Sequence, residues 1–324
     1  PAVLDGGRSL WRRVESEHFL VESNLSNDHQ VRRIASEFEV LWHAFAAVPV
    51  LGLRPPQEKP IVVVLRDRDE YRYMAGDQTA GLYFPDTMLG PLILLPPNIG
   101  AFEETVVKHE LAHHIASGSF PTEPQWLYEG LAELMETASY DTRKGEILFG
   151  MHSYGLVASA APWRPAKRFT QPWPSGRPTS EVQSYYGRSW LLVHYLIDNE
   201  LQGFLNMLVR IRHGEAWQSA WDHELLLKQD EVDGALGVYH ERAKYGLWKV
   251  QAQLPDSAAF QSSDVAPAEA LALRAVLNGY ATSLAREPEQ KRQAAERDFQ
   301  DACRLDPSAA RVRTILAALE AAAK

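Results

Sequence analysis

Up to about residue 100 the chain alternates short apolar runs with helical periodicity. A strand is expected near Glu17 to Ser23, followed by an amphipathic helix from about Asp28 to Val48 and a Pro-rich connection from Leu51 to Pro60. Ile61-Val62-Val63-Val64-Leu65 is apolar at every position, the pattern of a strand buried on both faces. A short helix near Asp69 to Met74 and two further strands, Ala80 to Phe84 and Leu92 to Leu95, complete this α+β part. From Gly100 to about Val250 the periodicity is mostly helical, with a small hairpin expected over Arg143 to Met151. Ala161 to Pro178 carries Trp163, Trp173 and five prolines and reads as a long irregular loop.

Gln251 to Val265, rich in Ser, Ala, Gln and Asp, reads as a linker. Beyond it, Ala295, Phe299, Ala302 and Pro307 are spaced like the second helix of a tetratricopeptide repeat, and Leu273, Val276 and Tyr280 like the first. One such hairpin is too little to be stable alone, so it is expected to dock on the rest of the chain or on a protein partner. Ser308 to Ala323 forms a last helix. The organisation expected is thus 1–100 as an N-terminal α+β part, 101–250 as a helical part, 251–265 as linker, and 266–324 as a tetratricopeptide-like hairpin with a last helix.

The chemistry concentrates in His109-Glu110-Leu111-Ala112-His113. On a helix, positions i and i+4 lie on one face, so two neutral imidazoles grip one metal ion. Glu110 is rotated away from the pair yet stays within reach of a metal-bound water, which makes it the general base. Phe102, Val106, His109 and His113 form one stripe beside the apolar positions Val107, Leu111 and Ile115, and Gly118 is placed to stop the helix. With fifteen residues between His113 and Glu129, Glu129 and Glu133 form a second i, i+4 pair on a helix opened by Pro124. A short loop between the two helices allows them to pack antiparallel, with Glu129 opposite the histidines. His114 points about 100° away from the ligand pair, and His194, on an apolar face, reads as a hydrogen-bonded core histidine.

His-Glu-x-x-His followed by Trp-Leu-x-Glu-Gly-x-Ala-Glu resembles the gluzincin metallopeptidases, and the layout of roughly residues 100 to 200 is similar to peptidase MA-like families. The resemblance implies a zincin-like α+β fold with a small mixed sheet, a mostly helical second half and a C-terminal helical tail. It implies one Zn2+ held by His109, His113 and Glu129, with Glu133 hydrogen-bonded to His109 behind the metal. In related gluzincins a Tyr at the head of a later helix, three residues before a small residue, donates to the oxyanion. Tyr186, with Ser189 three residues on, fits that pattern better than Tyr185. Arg188 reads as an exposed helix arginine. The resemblance also implies an edge strand that pairs with the substrate backbone, a role open to Leu92–Leu95 or Ala80–Phe84. The Gly-x-Met-Glu-Asn element by which aminopeptidases of this group hold a free N-terminus is absent.

Composition narrows the partners. Hydrophobic residues make up 45% and charged residues 23% of the 324, an ordinary globular balance. The net charge of −9 argues against a nucleic-acid partner. The one cysteine, Cys303, excludes an intramolecular disulfide framework, and no apolar run is long enough to span a membrane. The expectation is a zinc-dependent peptidase, an endopeptidase or processing protease acting on a peptide or protein. Its resemblance to exported families suggests a bacterial extracytoplasmic setting, periplasmic or lipid-anchored. The competing expectation is a peptidase-like scaffold that binds a protein partner through its cleft or helical tail.

Overall fold

Two strands with no polar side chain organise the first part of the structure. β3 (Ile61–Val64) and β5 (Leu92–Leu95) are buried at all four positions, which requires cover on both faces of their sheet. The computed structural model describes residues 10–25, 27–46, 56–76, 81–97, 101–119, 124–141, 144–151, 179–242, 244–251, 259–280 and 288–322. The fold is mixed α+β and divides into two compact units. One comprises Pro1–Val40, Gln57–Val107 and Pro255–Lys324, the other Leu41–Pro56 and Lys108–Leu254.

In the first unit, β1 (Trp11–Glu15), β2 (Leu20–Ser23), β4 (Leu82–Phe84) and β9 (Gln261–Val265) join β3 and β5 in a six-stranded mixed sheet of order β4-β5-β3-β2-β1-β9. The parallel pairs β2/β3 and β3/β5 need crossovers. α1 (Asp28–Ala46) supplies the first, and α2 (Arg68–Ala75) together with β4 the second. Asp67 caps α2 by accepting from the backbone N–H groups of Asp69 and Glu70. Of the two strands expected to offer an edge, Leu92–Leu95 does not: β5 is hydrogen-bonded on both sides, to β3 and to β4. The edge is Leu82–Phe84, paired on one side only among the described residues.

The expected linker over 251–265 is corrected at both described ends. Gln251 closes a strand, and Gln261–Val265 is β9, antiparallel to β1. Only Val265 of that strand is fully buried, so its polar residues Gln261, Ser262, Ser263 and Asp264 gave a loop-like composition to an edge strand. The chain then enters α8 (Pro267–Tyr280), whose two faces are both apolar. Ala270, Leu273 and Leu277 join the sheet core with Trp11, Ile61 and Leu92, while Leu271, Ala272 and Val276 pack with Ala302 of α9 (Pro288–Leu305) and Val312 of α10 (Ala310–Ala322). The C-terminal helices therefore belong to the same compact unit as the N-terminal strands.

Two buried carboxylates inside this unit are matched by arginines. Arg311 of α10 donates from both Nη atoms to the Glu22 carboxylate of β2 at 2.8 and 2.6 Å, and Arg13 adds a third bond at 2.7 Å. Burial opposes the charge on Glu22, but Arg311 and Arg13 outweigh it and hold the carboxyl below its ordinary range. Arg274 of α8 likewise donates to Glu70 at 3.0 Å.

The second unit is mostly helical. It is built on α4 (Gln125–Glu136), α5 (Thr179–Arg212, leaving helical geometry at Glu200), α6 (Trp217–Glu224) and α7 (Val232–Arg242). The hairpin expected over Arg143–Met151 lies slightly earlier, as β6 (Ser139–Asp141) and β7 (Glu146–Phe149), and β8 (Trp248–Gln251) makes it a three-stranded sheet. His194 is fully buried, with Nδ1 on Tyr239 Oη at 2.9 Å and Nε2 on the carbonyls of Gly150 and Gly246. The Trp/Pro stretch 161–178 lies outside the described residues. No helix among the described residues is long and apolar enough to cross a membrane.

Replacing Arg311 by Met should leave the buried Glu22 carboxylate with Arg13 alone and destabilise the protein by roughly 1–3 kcal/mol, read as a fall in urea midpoint. Because the folded pKa of Glu22 is lowered, its contribution is complete above the unfolded value of about 4.3. It is lost as pH falls through the lower folded value. Glu22→Gln should therefore flatten the acid limb of the stability profile relative to wild type.

Candidate metal centre

α3 (Ala101–Ser117) carries His109 and His113 one turn apart, and α4 carries Glu129, Glu133 and Glu136 at i, i+4 and i+7. Their partners fix the direction of packing. Lys108 donates to the Ala138 carbonyl at 2.8 Å, His109 faces Glu133 and Glu136, and His113 faces Glu129. As α3 advances its partners on α4 recede, so the two helices are antiparallel. All of these residues lie in the second unit.

The donor atoms converge. Glu129 Oε2 is 3.4 Å from His109 Nε2 and 3.6 Å from His113 Nε2, and the donors of the three side chains lie within 4.8 Å of one another. On its other side, His109 Nδ1 is 3.4 Å from Glu136 Oε2 and 3.6 Å from Glu133 Oε1. His109, His113, Glu129 and Glu133 are each at most 9% exposed. Three of their buried polar atoms, Glu129 Oε2, Glu133 Oε2 and His113 Nδ1, have no hydrogen-bond partner among the described residues. Orphaned polar atoms are costly in a protein interior. Two imidazoles and a carboxylate with an orphaned, inward oxygen are a donor set that suits zinc.

The electrostatics are those of a crowded acidic pocket. Burial disfavours the charged form of His109, but Glu129, Glu136, Glu133 and Glu110 outweigh it and hold this imidazole well above its ordinary range. Burial also opposes ionisation of Glu129, yet His109 and His113 pull it down to about 2. Burial, with Glu136 and Glu129 adding repulsion, pushes Glu133 up to about 8. The site thus crowds carboxyl groups, whose ionised forms repel one another, around two imidazoles, a repulsion that a divalent cation would relieve.

Tyr186 of α5 has its ring 5.8 Å from that of His109, whereas Tyr185 is buried at 6% exposure beside it. Burial and the carboxylates of Glu129, Glu133 and Glu110 raise the Tyr186 phenol, so it stays a hydrogen-bond donor. The placement follows from backbone packing. A Cβ on Gly130 would lie 2.6 Å from Val193 Cγ2 and closer still to the Ser189 carbonyl. Only a glycine lets α4 approach α5 this closely. Ser189, the small residue one turn after Tyr186, is fully buried at this contact. Arg188 is buried at 6% exposure, not exposed as its surface-like composition suggests.

Two residues here were not anticipated from the sequence. Glu136 lies closer to His109 Nδ1 than Glu133 does, and its i+7 spacing from Glu129 was the available signal. Tyr128 stacks on His113 with ring centroids 4.0 Å apart and an interplanar angle of 15°. His114, 1% exposed, faces away into the core, where burial lowers its pKa to about 4. No protein-family model matches the chain, and no match to a curated protein is found.

Gly130→Ala should gain about 1 kcal/mol of helix propensity but lose more by forcing α4 off α5, for a net destabilisation of roughly 1–3 kcal/mol. Thermal unfolding measures it. A variant as stable as wild type would show that the approach is not constrained.

Proposed function

We propose that this chain is a zinc-dependent peptidase of gluzincin type with a zincin-like fold, hydrolysing peptide bonds as an endopeptidase or processing protease. The observation that supports the reading most is the convergence of His109, His113 and Glu129 from two antiparallel helices with an orphaned carboxylate oxygen between them. These three residues would hold the metal. Zinc bound there supplies Lewis-acid polarisation of the scissile carbonyl and lowers the pKa of an attacking water to around 7.

The remaining residues have roles that follow from position. Glu110 follows His109 directly and is half-buried; it takes the proton of the attacking water and later delivers it to the leaving amine. Its charge is felt at both His109 and Tyr186, which keeps the base, the ligand and the donor in one field. Tyr186 donates to the oxygen that becomes negative as the carbonyl is attacked. Glu133 and Glu136 flank His109 Nδ1 and orient the ring, as carboxylates behind metal-bound histidines do. Glu129, opposed by burial and sustained by two imidazoles, stays ionised and available as a donor.

Glu110→Gln should keep about one equivalent of zinc by metal analysis, while cleavage of a peptide library falls at least ~100-fold. Full activity in that variant would refute the role. Tyr186→Phe should lower kcat by roughly 10²–10³ with KM little changed, the signature of a donor used only in the transition state. Treatment with a chelator should abolish cleavage and zinc should restore it.

A further inference from the structure

The two histidines of the site are secured by different means. His109 turns Nδ1 toward Glu136 and Glu133 at 3.4 and 3.6 Å, and those carboxylates fix the plane of its ring. His113 Nδ1 is buried and has no hydrogen-bond partner among the described residues. A metal-binding imidazole ordinarily donates its second ring N–H to a carboxylate or carbonyl, and that bond sets tautomer and orientation. His113 needs another restraint.

An aromatic face supplies it. The Tyr128 ring lies parallel to His113, 4.0 Å between centroids and 15° between planes, while the His109 ring meets His113 edge-on at 4.6 Å and 87°. His113 therefore sits against one flat surface and one perpendicular ring. In this orientation its Nε2 points at Glu129 Oε2, 3.6 Å away. Tyr128 is the residue directly before Glu129, so one turn of α4 carries both the third donor and the surface that aims the second. Stacking of this kind needs the π face and not the hydroxyl, and it strengthens as the imidazole becomes electron-poor on binding a cation.

We propose that Tyr128 is the positioning residue for His113, its stacked ring doing for this imidazole what the Glu133 and Glu136 carboxylates do for His109. The proposal rests on the zinc reading of the site. It is tested by calorimetric titration of zinc into the metal-free full chain, together with the ring-proton NMR signals of His113, assigned by their loss in His113→Gln. Tyr128→Phe should bind zinc within about twofold of wild type, and Tyr128→Leu roughly 10- to 100-fold more weakly. In the metal-free protein the His113 ring protons should be shifted upfield by the Tyr128 ring current in wild type and Tyr128→Phe, and not in Tyr128→Leu. Equal zinc affinity in Tyr128→Leu and wild type would overturn this proposal alone, as would Tyr128→Phe weakened as much as Tyr128→Leu. Should Tyr128→Leu fail to fold, wild-type His113 signals at unshifted positions would also overturn it. A wild-type protein that takes up no zinc would overturn the zinc reading and this proposal with it.

Discussion

The approach of α4 to α5 at Gly130 is the constraint on which the candidate centre depends. A single methyl group at that position would collide with Val193 and the Ser189 backbone. Because a glycine stands there, Glu129, one residue earlier, and Tyr186, one turn before Ser189, are carried to the same place. Glu129 reaches both histidines of α3, and the Tyr186 ring lies beside His109. Gly130 weakens its own helix by about 1 kcal/mol relative to alanine, and the backbone contact it permits positions two side chains of the candidate centre at once. Around it, Trp126 packs edge-to-face against Trp221 and Trp217 of α6.

Buried carboxylates are treated differently at this site and at Glu22 and Glu70 of the sheet unit. In the sheet unit, Glu22 is met by two guanidinium groups and Glu70 by Arg274, so these two carboxylates each have a permanent cation within hydrogen-bond distance. In the helical unit, Glu129 and Glu133 are also buried and lie beside imidazoles, and each keeps an oxygen without a hydrogen-bond partner among the described residues. Burial of carboxylates without a fixed cation is unfavourable unless something else supplies the charge. A divalent cation held there would relieve that imbalance, and the Glu129 oxygen lies close to an imidazole nitrogen of each histidine.

Much of this was legible from residue spacing. His109, His113, Glu129 and Glu133 were readable because a helix places i and i+4 on one face, and their juxtaposition needed only a short loop between two helices. Glu136 sits on the same stripe, yet a third acidic residue on a helix is indistinguishable in sequence from a solvated one. Tyr128 was unreadable for a different reason: stacking depends on the rotation of α4 against α3, which no local pattern encodes. Arg188 and Arg311 are long charged side chains whose composition reads as surface, and burial beside neighbouring elements overrode it. In the fold, the all-apolar strands β3 and β5 announced themselves, whereas β9 did not. Four of its five residues are polar, and its pairing with β1 joins positions some 250 residues apart, a tertiary relation that local composition does not carry.

The central claim is that His109, His113 and Glu129 together hold one zinc ion. X-ray absorption at the zinc edge of the zinc-loaded full chain measures this most directly. A zinc ion held by these three residues requires a light-atom first shell near 2.0–2.1 Å, with outer-shell scattering from two imidazoles. Loss of one imidazole contribution in His113→Ala and loss of the carboxylate oxygen in Glu129→Ala should follow. A six-oxygen shell without imidazole scattering, or a spectrum unchanged by both substitutions, would contradict it.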